Sequence, residues 1–212
     1  MTVIGDVHGE YDRYFRVIKG REATLQLGDM GYNYAPLMGA VDPSAHKFFK
    51  GNHDDYNNRN VPHAIGDYGL YAHGGIEFFF VRGAFSIDKK YRVIGRDWFP
   101  EEELTYEQRE DALEKYIEAK PEIMITHDCP QEVAELIGNP DVLRDFGFNP
   151  DTFSTVTQIL LQRMLDAHKP KLWLFGHFHK VWEQPVKGTH FRCLPEMHFI
   201  TISKVGDDLI YG

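Results

Sequence analysis

Ala23-Thr24-Leu25-Gln26-Leu27-Gly28-Asp29-Met30-Gly31 reads as a short buried strand that halts at a glycine and opens into an acidic turn. The same arrangement recurs on either side. Thr2–Gly5 runs into Asp6-Val7-His8-Gly9, and His46–Lys50 runs into Gly51-Asn52-His53-Asp54. Farther along, Ile123–Thr126 ends at His127-Asp128, and Lys171–Phe175 ends at Gly176-His177-Phe178-His179. Each strand thus delivers Asp, His or Asn at its carboxyl end, which is where α/β sheets carry their chemistry.

Helical spacing fills the gaps between these strands. Apolar residues fall at 11, 14, 15 and 18 in Tyr11–Lys19. Leu104–Lys120 is predicted as a helix with Leu113, Tyr116, Ile117 and Lys120 on one face, stopped by Pro121. Phe153–His168 is predicted as another, with Val156, Ile159, Leu160 and Met164 on one face. Leu70–Ala72 and Ile76–Arg82 form a hairpin around Gly74-Gly75. The tail alternates short strands at Val181–Gln184, His190–Leu194, Phe199–Ser203 and Asp208–Tyr211. Those tail connections are too short for parallel crossovers, so a purely doubly wound fold fits poorly. The expected class is α/β: a four-layer α-β-β-α sandwich, with two mixed sheets packed face to face and helices outside. The chain is read as one domain over 1–212, with 130–152 as an insert near the site that contains a short helix at Glu132–Ile137.

Composition narrows the function. The 212 residues are 42% hydrophobic and 14% aromatic, which suits a packed core. The formal net charge is −9, which disfavours sequence-independent binding to long nucleic acid. A small anionic substrate is compatible where bound metal reverses the local field. No apolar run is long enough to span a bilayer. The N-terminus carries no basic and apolar leader, and Cys129 and Cys193 form no disulfide framework. A reducing cytoplasm is expected, the host's if the chain is phage-encoded.

The five blocks, in this order from residue 5 to residue 179, resemble the calcineurin-like metallophosphoesterases. The resemblance implies a dinuclear site. Asp29 would bridge two divalent cations. Asp6, His8 and His179 would complete one cation's ligands, and Asn52, His127 and His177 the other's. This mixture of imidazole, carboxylate and amide oxygen suits Mn, with Fe, Zn, Ni or Co as alternatives. His53 falls where the family places a catalytic histidine that protonates the leaving group, and Asp54 is a candidate to hold its tautomer. The implied reaction is in-line attack on phosphorus by a metal-bridged hydroxide.

Departures from the family's protein phosphatase branch narrow the substrate. That branch continues its second block with Asp and Arg, where this chain has Gly31-Tyr32-Asn33. It has Glu at the position of Asp54, and it lacks His179. The chain is closer to the compact bacterial and phage phosphoesterases. A small phosphodiester is slightly favoured over a phosphomonoester on nucleotides or phosphoproteins. A non-catalytic metal-binding scaffold of the same fold is the rival from another class, opposed by the complete set of motif residues. Residues 82–97 are basic (Arg82, Lys89, Lys90, Arg92 and Arg96 against Asp88 and Asp97) and are candidates to steer phosphate. Gly83-Ala84-Phe85-Ser86-Ile87-Asp88-Lys89 resembles an element of some small relatives. Arg59 and Arg82 are the candidate substrate contacts.

Overall fold

The computed structural model describes residues 1–206 and 208–212. Strands β1 (Thr2–Ile4), β2 (Thr24–Gln26) and β3 (His46–Phe48) run parallel. Strands β4 (Tyr68–His73) and β5 (Ile76–Val81) form the hairpin at Gly74-Gly75. After them come β6 (Ile123–Thr126), β7 (Leu172–Phe175), β8 (Trp182–Val186), β9 (Thr189–Cys193), β10 (Phe199–Val205) and β11 (Asp208–Tyr211). They assemble into two mixed sheets, ordered β11-β10-β1-β2-β3 and β4-β5-β6-β7-β9-β8.

Three apolar clusters define four layers. Between the sheets lie Val3, Leu25, Phe78, Phe80, Ile123, Ile125, Leu172, Leu174, Ile200 and Ile202. Outside the first sheet, helix α1 (Tyr11–Ile18) sets Tyr11, Tyr14 and Ile18 against Ile4 and Phe48. Outside the second sheet, α2 (Tyr106–Ala119), α3 (Gln131–Ile137) and α5 (Val156–Ala167) cover Phe79, Met124, Trp173 and Phe175. Alternate residues of β5, β6 and β7 therefore go to opposite cores. That is why these strands read as continuous apolar runs.

Two helix faces differ from the sequence reading. In α2 the buried residues are Ala112 and Tyr116, while Ile117 is 45% exposed. Thr105 and Gln108 cap its start reciprocally, and Lys120 adopts a left-handed conformation at its end. In α5 the buried stripe includes Thr157 and Gln158 with Leu160, Leu161, Met164 and Leu165, and Val156 and Ile159 face out. The two polar residues sit inward because each has a partner. Thr157 Oγ1 donates to Glu103 (2.9 Å) and Gln158 Nε2 to Asp128 (3.3 Å). Counting apolar letters alone places the stripe one position off.

The 130–152 segment holds one helix more than the sequence predicts. It holds α3 and a further short helix, α4 (Pro140–Asp145), whose Asn139 side chain accepts from Asp141 N–H at 3.0 Å. Phe148 meets Phe85 edge-on, and Lys90 Nζ donates to the Phe146 carbonyl at 2.9 Å. The insert thus braces the basic 82–97 segment. Among the described residues no helix is long and apolar enough to cross a membrane.

Candidate metal centre

The five motif loops leave the carboxyl ends of β1, β2, β3, β6 and β7 and are tied to one another. His8 N–H donates to the Asp29 carbonyl at 2.8 Å, His53 N–H to Asp29 Oδ1 at 2.7 Å and His177 N–H to Asp6 Oδ2 at 3.1 Å. His8, Asp29, His177 and His179 all hold positive φ, between 50° and 66°. Non-glycine residues adopt that region rarely, and it gathers at functional sites where surrounding contacts over-determine the backbone. Gly51 is required by close approach: a Cβ there would stand 2.2 Å from Asp29 Oδ1 and 2.6 Å from His127 Nε2.

The side chains converge in two groups. Ligand atoms of Asp6, His8, Asp29 and His179 all lie within 4.8 Å of one another. His8 Nε2 and His179 Nε2 are 3.1 Å apart, and His179 Nε2 is 3.1 Å from Asp6 Oδ2. In the second group, His127 Nε2 is 3.0 Å from Asn52 Oδ1 and 3.2 Å from Asp29 Oδ1. His177 packs edge-on to His127, with ring centroids 5.2 Å apart. Asp29 belongs to both groups, its Oδ1 toward His127 and its Oδ2 3.8 Å from His8 Nε2.

These residues suit divalent cations. Asp29 Oδ2 is buried without a hydrogen-bond partner, an arrangement that is costly without a cation. His127 Nδ1 is engaged with the Leu27 carbonyl at 2.8 Å, which leaves Nε2 to meet two oxygens. Without metal those oxygens require a proton on Nε2. Burial works against that charge, but Asp29 pushes His127 up to about 10. Burial would raise Asp29 as well, yet His127 above all, with His53 and His8, holds it well below the usual carboxylate range. Burial, reinforced by the His127 charge, lowers His177 well below the usual histidine value and keeps it neutral. Neutral imidazole is the form that ligates metal.

The other candidate residues are placed differently from expectation. Asp54 does not support His53. Its oxygens accept from the backbone N–H groups of Asp29, Met30, Gly31 and Gly51 and from the Tyr34 hydroxyl. It knits the Asp29 loop to the Asn52 loop. Arg82 is buried, paired with Asp67, bonded to the Glu101 carbonyl at 2.5 Å and stacked on Tyr56. Its guanidinium is occupied by structure. Arg59 is exposed on the loop after His53, with no hydrogen bond or ion pair to a described residue.

Arg92 takes the place expected of Arg82. Its Nη2 lies 2.8 Å from both His53 Nε2 and Asp88 Oδ2, and its Nη1 donates to the Tyr32 hydroxyl at 2.9 Å. Guanidinium only donates, so His53 Nε2 accepts and the ring is neutral with its proton on Nδ1. Burial, with Arg92 and His8 adding to it, lowers the His53 pKa. The signal for Arg92 was the basic run itself, which could not say which of its cations turns inward. Glu196 carried no signal at all. It follows β9, and its Oε1 is 3.2 Å from His179 Nδ1, a carboxylate that orients an imidazole from behind. A cleft of about 360 Å³, lined by His8, Gly31, Tyr32, Asn33, Pro36 and His53, opens beside these groups.

Five of the six remaining histidines have structural partners: His46 meets Thr24 Oγ1 at 3.0 Å, His190 meets Glu183 Oε1 at 2.7 Å, and three others meet backbone carbonyls. His73 bonds the carbonyls of Thr24 and Ala45, His63 that of Val41 and His168 that of Pro121.

Solved structures are similar to this chain at low identity. The phosphopantetheinyl hydrolase PptH of Mycobacterium tuberculosis aligns over 92% of this chain and 89% of its own, with 11% identity and a TM-score of 0.50. Vps29 of Entamoeba histolytica, solved with zinc, aligns over 99% and 89%, with 15% identity and a TM-score of 0.40. No curated protein sequence matches the chain. At the level of sequence, residues 1–181 match the calcineurin-like phosphoesterase family. That span begins before Asp6 and ends after His179, so it takes in every strand end that supplies the converging side chains: the chain belongs to the calcineurin-like phosphoesterases, metal-dependent hydrolases of phosphate esters.

Proposed function

We propose that the protein hydrolyses a small phosphodiester at a dinuclear site, with Mn²⁺ the first cation to test. The observation that carries this reading is the double engagement of Asp29. One oxygen faces His127, whose Nε2 also meets Asn52 Oδ1, and the other faces the Asp6, His8 and His179 group. Asp6, His8, Asp29 and His179 would hold one cation. Asn52, His127 and His177, sharing Asp29, would hold the other. When bound, the pair supplies a water of lowered pKa and neutralises charge on the phosphoryl oxygens.

The chain's own groups do the rest. The cleft beside His53 seats the ester. Arg92 turns from His53 to a phosphoryl oxygen, and the freed His53 Nε2 takes up a proton from solvent, which the imidazolium then hands to the departing oxygen. Among the described residues, Arg92 is the one guanidinium hydrogen-bonded to a candidate site residue. A single such donor supports a diester, which carries less charge than a monoester dianion. The buried, unpaired Cys129 and Cys193 support a reducing cytoplasm as the setting.

The test offers bis-p-nitrophenyl phosphate and p-nitrophenyl phosphate to the metal-loaded protein. Faster turnover of the diester is expected. Preference for the monoester overturns the diester reading, and no turnover of either with metal bound indicates a scaffold. Arg92→Ala is expected to lower kcat/KM by about 10- to 150-fold, the worth of one charge-assisted hydrogen bond, and to leave metal content unchanged. Arg92→Lys restores the charge but not the planar fork, so it recovers only part of the loss.

A further inference from the structure

Asn52 is the one amide among the candidate ligands, and an amide can turn either its oxygen or its nitrogen toward a cation. Only the oxygen ligates. What holds it that way round lies outside the five motif blocks. Asn52 Nδ2 donates to Ser86 Oγ at 3.1 Å. Ser86 Oγ donates to Glu102 Oε2 at 2.7 Å, and Ser86 N–H donates to Glu102 Oε1 at 2.9 Å. All three side chains are at most 3% exposed, so water does not compete for these bonds. At the far end of the amide, Asn52 Oδ1 points to His127 Nε2.

Hydrogen-bond polarity orders the chain of groups. Burial pushes Glu102 up to about 7, and above that pH it is a carboxylate, which accepts and cannot donate, so Ser86 commits its single proton to Glu102. What Ser86 offers Asn52 is then a lone pair, and Asn52 must answer with its NH₂. Its oxygen is left facing the metal site. The backbone is built to bring these groups together. Gly83 N–H donates to the Lys50 carbonyl at 2.9 Å, and a Cβ at Gly83 would stand 1.8 Å from the Glu102 carbonyl oxygen. The 83–86 loop is thereby pressed between the Asn52 loop and Glu102.

We propose that Ser86 and Glu102 are positioning residues: a buried relay that fixes the Asn52 amide oxygen-inward and so sets the cation affinity of the Asn52, His127 and His177 half of the site. The proposal rests on the dinuclear reading above. Glu102→Gln tests it with almost no change of shape. In one orientation the new amide sets its NH₂ against Ser86 N–H, a donor against a donor. In the other it donates to Ser86 Oγ, Ser86 turns its proton to Asn52, and the Asn52 amide flips.

The readout is calorimetric titration of the metal-free protein with Mn²⁺, buffered above the Glu102 pKa. The wild type is expected to bind in two steps. Glu102→Gln should keep one step unchanged and weaken the other by about 10- to 100-fold, the usual effect of losing a group behind a metal ligand. Ser86→Ala should reproduce that weakening, and Ser86→Thr, which keeps the hydroxyl, should titrate like the wild type. Two unchanged steps in both Glu102→Gln and Ser86→Ala overturn the relay, as does equal weakening of both steps. If Glu102→Gln does not fold by circular dichroism, the contrast between Ser86→Ala and Ser86→Thr decides by the same criteria. A wild type that binds fewer than two cations fails the dinuclear reading, and the relay with it, before any variant is compared.

Discussion

Asp29→Asn is expected to weaken both cation steps and to lower kcat/KM by about 10²- to 10³-fold, the scale set by removing a group that stabilises transition-state charge. The geometry says why both halves suffer. Asp29 Oδ1 accepts from His53 N–H at 2.7 Å, so the asparagine will keep its carbonyl oxygen there. Its NH₂ then takes the place of Oδ2 and points a donor at the half formed by Asp6, His8 and His179. The other half retains an oxygen but loses the shared negative charge, and two adjacent cations repel strongly without it. The backbone tolerates the change. Asp29 has φ 59°, a conformation asparagine adopts as readily as aspartate. A Mn²⁺ titration in which only one step weakens overturns the bridging role.

His53→Ala is expected to cut turnover by about 10²- to 10⁴-fold while leaving both cation steps intact. The separation is possible because His53 serves the site in two ways. Its backbone N–H holds Asp29 Oδ1, and alanine retains that bond. Its ring contacts Arg92 at 2.8 Å and lies edge-on to His8 at 5.1 Å, without joining the converging ligand atoms. Loss of a cation step in the variant would make His53 a ligand rather than an acid. Unchanged turnover would remove it from the reaction.

The contrast between Arg82 and Arg92 shows where sequence reading stops. Both lie in one basic run, ten residues apart, and nothing local distinguishes them. Arg82 sits at the end of β5, where Asp67, Glu101 and Tyr56 meet it from distant parts of the chain. Arg92 is carried to His53 by a loop that the 130–152 insert braces from outside. Asp54 makes the same point at shorter range. Adjacency to His53 suggested a carboxylate–imidazole pair, but the turn after β3 aims the two side chains apart, and Asp54 collects backbone donors instead. The stripe of α5 was misplaced for a related reason: Thr157 and Gln158 are polar by letter and buried by partnership.

What the sequence determined by itself was the α/β class, the strand ends and the family. These depend on short-range properties: an apolar run of strand length, a glycine that ends it, and a polar residue immediately after. Such features repeat in order along the chain and need no knowledge of neighbours. The tertiary structure alone decided which half of the site each oxygen of Asp29 faces, which arginine meets His53, and that Glu196 stands behind His179. It also decided that Ser86 and Glu102 stand behind Asn52. Each of these is a contact between residues far apart in sequence, created when the two sheets pack and bring their strand ends to one edge. The direction of a buried hydrogen bond depends on the partner found there, and no local pattern in the chain encodes that partner.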